Sequence, residues 1–209
     1  MRAAKTGLFA TVFFTAFAAN AADPPRTHLE PVPASEQSDI GKLPEFTDRT
    51  VVWMEAGYAF GAYVATAALQ RTDDGFRLVY LNRPIVIADD PAATADLAAD
   101  EPKPARCVYA ISAAQGNRIL AAARVVLRKT RPGAPNLEPM GVDLEFIVRD
   151  GAKLRSGRVS NPVGDSEPSL LATVFTPFDR TCPQSIAHHE GDLETALGRL
   201  ERALRSNEP

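Results

Sequence analysis

Alternation of apolar and polar residues in the middle of the chain predicts an antiparallel β-sheet. The clearest run is 142–149, in which apolar side chains at the even positions alternate with charged ones at 143, 145 and 149. Successive side chains of a strand point to opposite faces of the sheet, so this run predicts a strand with one buried face. β-Branched, aromatic and aliphatic runs predict further strands at 50–54, 76–82, 107–111, 154–159 and 170–175.

Two Asp-Gly pairs, Asp74-Gly75 and Asp150-Gly151, predict hairpin turns, because this dipeptide favours the backbone angles of short β-turns. The Ala-rich run 58–70 fits a strand or a helix, and the turn behind it favours the strand. The run 118–128 fits either element equally well, since its apolar positions match both a helical face and a strand face. We expect a hairpin there because residues 115–117 (Gln-Gly-Asn) have the composition of a turn.

The C-terminal segment changes to the period of an amphipathic helix. Between residues 192 and 205 apolar side chains recur every three or four positions, with charged residues on the other face. Asp192 near its start and Arg205 near its end suit the helix dipole, and Glu201 forms a favourable i,i+4 pair with Arg205. One apolar stripe implies packing on a sheet face or on a partner. The stripe consists of Leu193, Ala196, Leu197, Leu200 and Leu204.

The first 21 residues have the three parts of a secretory signal peptide. Arg2 and Lys5 precede an uncharged apolar run over 8–18, and residues 19–21 (Ala-Asn-Ala) place small side chains where a signal peptidase cleaves. The run is shorter than the roughly 20 residues that cross a bilayer. We expect a periplasmic protein, or a secreted one outside Gram-negative cells, with no integral membrane segment after cleavage.

The segment 22–48 contains five prolines among polar residues, which block both helix and sheet. It predicts an extended leader, either a tether or a strap along the domain surface, with His28 in water. We therefore divide the chain into a signal peptide (1–21), a Pro-rich leader (22–48) and a single domain (49–209). The elements of that domain predict an α+β fold: an antiparallel sheet, flat or curved, of about six to eight strands, with the C-terminal helix on one face.

The net charge limits the classes of partner, and the cysteine content predicts a disulfide. Without residues 1–21 the chain has 21 basic and 26 acidic residues, a net charge of −5, which argues against a nucleic-acid partner. The basic run 128–131 is short, and we expect it to be a solvated loop. In an exported chain the pair Cys107 and Cys182 predicts one disulfide, and the 74 residues between them imply a stabilisation of about 4 kcal/mol. Two buried thiols, or one reactive thiol, are the alternatives.

Candidate chemistry is sparse. The sequence contains no nucleophile elbow, phosphate loop, dinucleotide fingerprint, Cys-x-x-Cys pair or zinc-protease helix. The densest group of potential ligands is His188-His189-Glu190, which suits zinc or copper in residue type. Adjacent residues rarely turn both rings to one ion, so a polar loop ahead of the last helix is the simpler interpretation. Asp143 and Glu145 share a strand face, and a solvated surface explains this pair as well as a site does.

These observations favour a non-catalytic protein of the envelope that binds an unknown protein or envelope component, without a cofactor. Two alternatives remain. One is a small metal-binding protein or hydrolase that uses His188, His189 and Glu190. The other is a carrier of a small apolar ligand inside a curved sheet. No catalytic residue is assigned.

Overall fold

The computed structural model of the chain describes residues 26–33, 46–58, 63–84, 105–132, 142–175 and 186–207. These residues form six strands and three helices. Their order is β1 (Thr50–Tyr58), β2 (Tyr63–Arg71), β3 (Phe76–Pro84), β4 (Ala105–Ile111), α1 (Ala113–Arg128), β5 (Val142–Asp150), β6 (Lys153–Ser160), α2 (Glu167–Phe175) and α3 (Ile186–Ser206). The predicted α+β class is confirmed. Of the helices in this part of the chain, none is long and apolar enough to span a membrane.

The six strands form one antiparallel sheet in the order β4-β3-β2-β1-β5-β6. Both predicted Asp-Gly turns are present: Thr72 donates its backbone N–H to the carbonyl of Gly75 at 2.9 Å, and Asp150 pairs with Lys153 across Gly151. Gly75 (φ 150°) and Gly151 (φ 63°) adopt backbone angles that disfavour side chains. Within the run 58–70, residue 58 ends β1 and residues 63–70 belong to β2, as the strand interpretation predicted, while residues 59–62 lie outside the described residues.

All three helices lie on one face of the sheet. The apolar side chains on that face form a single core with the predicted stripe of the C-terminal helix, whose five members are all buried. That helix packs mainly against α1 and α2. The opposite face carries a smaller buried cluster, to which β1, β2, β3 and β5 each contribute one side chain. Its members are Trp53, Ala68, Val79 and Ile147.

The expected hairpin at 118–128 is wrong, because this run belongs to α1. Ser112 caps the helix: its hydroxyl accepts the N–H of Gln115 at 3.2 Å, and the Gln115 side chain accepts the N–H of Ser112 at 3.0 Å. Gly116 therefore lies in the first helical turn rather than in a β-turn. Added there, a Cβ atom would lie 2.2 Å from Cδ2 of Phe76, so glycine allows the helix to approach the sheet.

The expected strand at 170–175 is also wrong, because these residues form the main part of α2. Ser166 precedes the helix, and its hydroxyl accepts the N–H of Ser169 at 3.4 Å, as a helix cap does. Pro168 lies in the first turn, where its missing N–H costs no hydrogen bond. Seven of the nine residues of α2 are buried, and only Ser169 and Thr173 are not, so its polar face is too narrow to show the helical period.

The polar segments at the ends of the helices also differ from expectation. The C-terminal helix begins at Ile186, so residues 188–190 are helical and not a loop. In the basic run, Arg128 ends α1 and Lys129 forms its C-cap and an ion pair, so this segment is not simply solvated. Glu201 is held by another helix: the Arg118 guanidinium donates to both its oxygens, at 2.8 and 3.1 Å.

Candidate functional site

Residues 26–33, which we call the strap, run along the outer edge of β6. Glu30 and Arg158 exchange two backbone hydrogen bonds, of 2.7 and 2.9 Å, and the N–H of Val163 bonds to the carbonyl of Arg26 at 3.1 Å. The side chain of Leu29 enters the main core and is 1% exposed, and Val32 is 3% exposed. This part of the predicted leader is therefore a strap, one that contributes to the core as well as covering the surface.

A cleft of about 690 Å³, which we call the strap cleft, opens between the strap and the converging ends of the three helices. The C-terminal ends of α1 and α3 and the N-terminal end of α2 all reach it. Its volume falls in the range of about 300–1,000 Å³ that is usual for small-molecule sites. Its polar wall includes Thr27, His28, Lys129, Arg131, Glu167 and Asn207.

Glu167 is the central polar group of the strap cleft. Its side chain is 9% exposed, and its Oε1 atom accepts hydrogen bonds from Nζ of Lys129 at 2.6 Å and from Nδ2 of Asn207 at 3.1 Å. The ion pair joins the negative end of α1 to the positive end of α2, so both helix dipoles favour it. Within the described part of the chain, Oε2 accepts no hydrogen bond, which leaves one acceptor of a buried carboxylate available to a ligand.

Arg131 supplies a second cation to the cleft, in addition to Lys129. Its backbone N–H bonds to the carbonyl of Leu29 at 3.0 Å, which holds the residue beside the strap. No carboxylate among the described residues lies within ion-pair distance of its guanidinium. Asp165 at the rim is paired with Arg199 at 3.1 Å. The residues that line the cleft carry two cations and two carboxylates. Both carboxylates have ion-pair partners, so Arg131 is the charged group of the lining without one among the described residues.

His28 is not in water, contrary to expectation. It is half-buried in the wall of the strap cleft, and both of its ring nitrogens are screened from solvent. Neither nitrogen has a hydrogen-bond partner in the portion of the protein that the structure describes. A screened polar atom without a partner costs about 1–3 kcal/mol, so we expect this imidazole to lower the stability of the strap.

The sequence-predicted site residues that the structure describes in full, Cys107, Asp143 and Glu145, do not line this cleft. Cys107 is buried on β4, facing the helical layer, while Cys182 is outside the described residues, so their disulfide stays a prediction. His188, His189 and Glu190 lie near the start of α3, where consecutive positions are about 100° apart around the axis. The helix thus places the two histidines at different angular positions, and their proposed metal role stays untested.

Asp143 and Glu145 do share the face of β5 that is turned away from the helices. They line a second cleft, of about 450 Å³, together with Glu55, the direct neighbour of Glu145 on β1. Arg158 is the neighbour of Glu145 on the other side, in β6, so a cation offsets the facing carboxylates. Sequence reasoning found the pair on β5 but could not place Glu55 beside it.

Comparisons of the chain with protein-family models, with curated proteins and with solved structures find no match. The function must therefore be argued from the geometry of the site itself. Sequence reasoning missed the strap cleft because its members are distant in the chain. The one local signal is the pair of cations at 129 and 131, directly after a run whose apolar pattern fits a strand as well as a helix.

Proposed function

We propose that this chain is an exported, non-catalytic binding protein of the cell envelope, which takes up a protein segment or an envelope component in the strap cleft. The observation that carries the proposal is the buried carboxylate of Glu167, which offers one acceptor oxygen to a cleft of about 690 Å³. Such a combination of an apolar wall with a few fixed polar groups is typical of ligand sites.

Two contacts in the cleft support a binding role for its polar groups. Lys129 donates a hydrogen bond to Glu167, so its ammonium group is engaged in an ion pair. The hydroxyl of Ser166 donates to the carbonyl of Val163 at 2.7 Å and accepts the N–H of Ser169 at 3.4 Å, so it is engaged in the loop and in the cap of α2. These contacts orient the side chains before a ligand arrives, which reduces the entropy lost on binding.

Export and the disulfide belong to the same proposal. The apolar start of the chain supports cleavage near residue 21, and an oxidising compartment would allow Cys107 to pair with Cys182. Intact mass of the purified mature protein, after alkylation with and without a reductant, tests both points. We expect no alkylation before reduction and two alkylated thiols after it. Alkylation of both thiols without a reductant, or a retained Met1, would contradict this part of the proposal.

The strap cleft can be filled by a substitution at a residue outside the core. Thr27 is exposed and lines the cleft, so Thr27→Trp should occupy it, whereas Thr195 is exposed on α3 and does not line it. Thr195→Trp is therefore a matched control. We expect affinity capture from an envelope extract to recover one partner with the wild type and the control, but not with Thr27→Trp. Equal recovery with all three proteins would refute a role for the cleft.

A further inference from the structure

We infer that the strap cleft recognises a zwitterion, namely an amino acid or the end of a short peptide, with its ammonium group on Glu167 and its carboxylate on Arg131. This inference rests on the proposed binding role of the cleft and names the chemistry of its ligand. It follows from two charged groups of opposite sign that line one cleft, each with unused hydrogen-bonding capacity in the described residues.

The site for the ammonium group is inferred from the hydrogen bonding of Glu167. Both of its hydrogen bonds, from Lys129 and Asn207, go to Oε1, while Oε2 receives none from the described residues. An ionised oxygen in a mostly buried carboxylate binds charged donors more strongly than neutral ones, because the surrounding dielectric is low. A primary ammonium group carries three donors, and one of them can complete the hydrogen bonding of Oε2.

The carboxylate half follows from Arg131. A guanidinium group presents paired N–H donors that match the two oxygens of a carboxylate. The backbone of Arg131 is tied to the strap at Leu29, which places the start of its side chain, while its guanidinium has no ion-pair partner among the described residues. An incoming carboxylate can therefore bind to Arg131 without displacing a carboxylate of the described protein.

The remaining wall favours a ligand with an aliphatic part and no net charge. Val126, Val163 and Pro168 line the cleft and provide an apolar surface for a side chain such as that of leucine. Both charges of a zwitterion have a counterpart in the lining, whereas a ligand with charges of one sign would leave either Arg131 or Oε2 of Glu167 without one. A zwitterion meets both charged groups and the apolar wall at once.

Isothermal titration calorimetry with the whole mature chain tests this inference, using leucyl-alanine and two blocked derivatives. N-acetylation removes the ammonium group and C-amidation removes the carboxylate. We expect the free dipeptide to bind and each blocked form to bind at least about tenfold more weakly, as loss of one charge-assisted hydrogen bond implies. Free leucine, titrated in parallel, distinguishes an amino-acid site from a site for peptide ends.

Two variants assign each end of the ligand. In Arg131→Gln the amidated and free dipeptides should bind equally, while the penalty for N-acetylation remains. In Glu167→Gln the reverse is expected. Arg128→Gln is the matched control for Arg131, because Arg128 is exposed at the end of α1 and does not line the cleft. Since Glu167 also holds Lys129, its variant is first checked by thermal unfolding, and Arg131→Gln alone decides the matter if that variant is unfolded.

Two results would overturn the inference. One is the absence of binding by leucyl-alanine and by leucine, and the other is equal binding of the free and blocked dipeptides. Neither result would contradict the proposed function, which the Thr27→Trp capture experiment tests separately. If a partner is lost with Thr27→Trp although no zwitterion binds, the cleft is a binding site for another chemistry. If capture is unaffected as well, the binding role itself fails.

Discussion

Replacement of Gly116 by alanine should destabilise this protein, although the same change usually stabilises a helix. Gly116 lies in the first turn of α1, against the aromatic ring of Phe76. A Cβ atom at this position would lie 2.2 Å from Cδ2 and 2.3 Å from Cγ of that ring. Favourable contacts between carbon atoms begin at about 3.5 Å, so the helix or the ring must move by more than an ångström.

The size of the effect is a difference between two terms. Replacing glycine by alanine within a helix is worth about 1 kcal/mol in favour of folding. Forcing an additional methyl group into a packed core costs about 1–3 kcal/mol, and the short distances at Gly116 favour the upper part of that range. Phe76 is 5% exposed and has little room to turn. We therefore expect Gly116→Ala to lower the free energy of unfolding by about 1–2 kcal/mol.

Urea unfolding followed by circular dichroism measures this change, with an unaltered slope as the sign of an intact two-state transition. Gly198→Ala in α3 is the control, because the nearest atom to its Cβ would be Nη1 of Arg202 at 3.7 Å. That variant should be more stable than the wild type by about 0.5–1 kcal/mol. If Gly116→Ala were as stable as Gly198→Ala, the close packing of α1 on Phe76 would be wrong.

Three further predictions follow from particular contacts. Arg118 lowers the pKa of Glu194 and Glu201 by donating hydrogen bonds to them, so their contribution to stability is present above the ordinary value of 4.5 and is lost as the pH falls through their lowered values. Arg118→Gln should therefore lose less stability than the wild type between about pH 7 and about pH 3 in urea titrations. Equal losses would contradict the stabilising role of the hydrogen bonds from Arg118 to Glu194 and Glu201. His28→Leu removes two screened nitrogens without partners and should raise the melting temperature by a few degrees, at roughly 2–4 °C per kcal/mol; a lower value would show that the imidazole has a partner. Leu29→Ala should cost about 2–5 kcal/mol in chemical unfolding and expose the strap to proteases, and a loss below about 0.5 kcal/mol would refute its place in the core.

The sheet could be predicted from the sequence because its signals are local. Asp150-Gly151 forms its turn from adjacent residues, and the alternation over 142–149 repeats within one strand. The C-terminal helix was likewise predictable, since its exposed face is charged. Helix α2 was not, because seven of its nine residues are buried and Ser169 and Thr173 alone form too narrow a polar face to reveal its period.

Helix α1 shows a different cause of error. Gly116 suggested a turn, whereas it is needed for the close approach of Phe76, a residue 40 positions earlier in the chain. The strap cleft was hidden for the same physical reason. The strap and three helix ends come together only in the folded protein, and they bring together His28, Lys129, Glu167 and Asn207. The spacing of these residues along the chain does not show that they line one cleft.

The pairing of β1 with β5 has a consequence for the order in which the protein folds. Strands β1 to β4 follow one another both along the chain and across the sheet, and β5 and β6 form a hairpin of their own. These two units are joined edge to edge by β1 and β5 alone, as in the contact of Trp53 with Ile147. About ninety residues separate these partners in the sequence, and no tight turn sets their alignment. The pairing of β1 with β5 therefore carries the largest loop-closure entropy in the sheet, and we expect it to be the slowest step of folding.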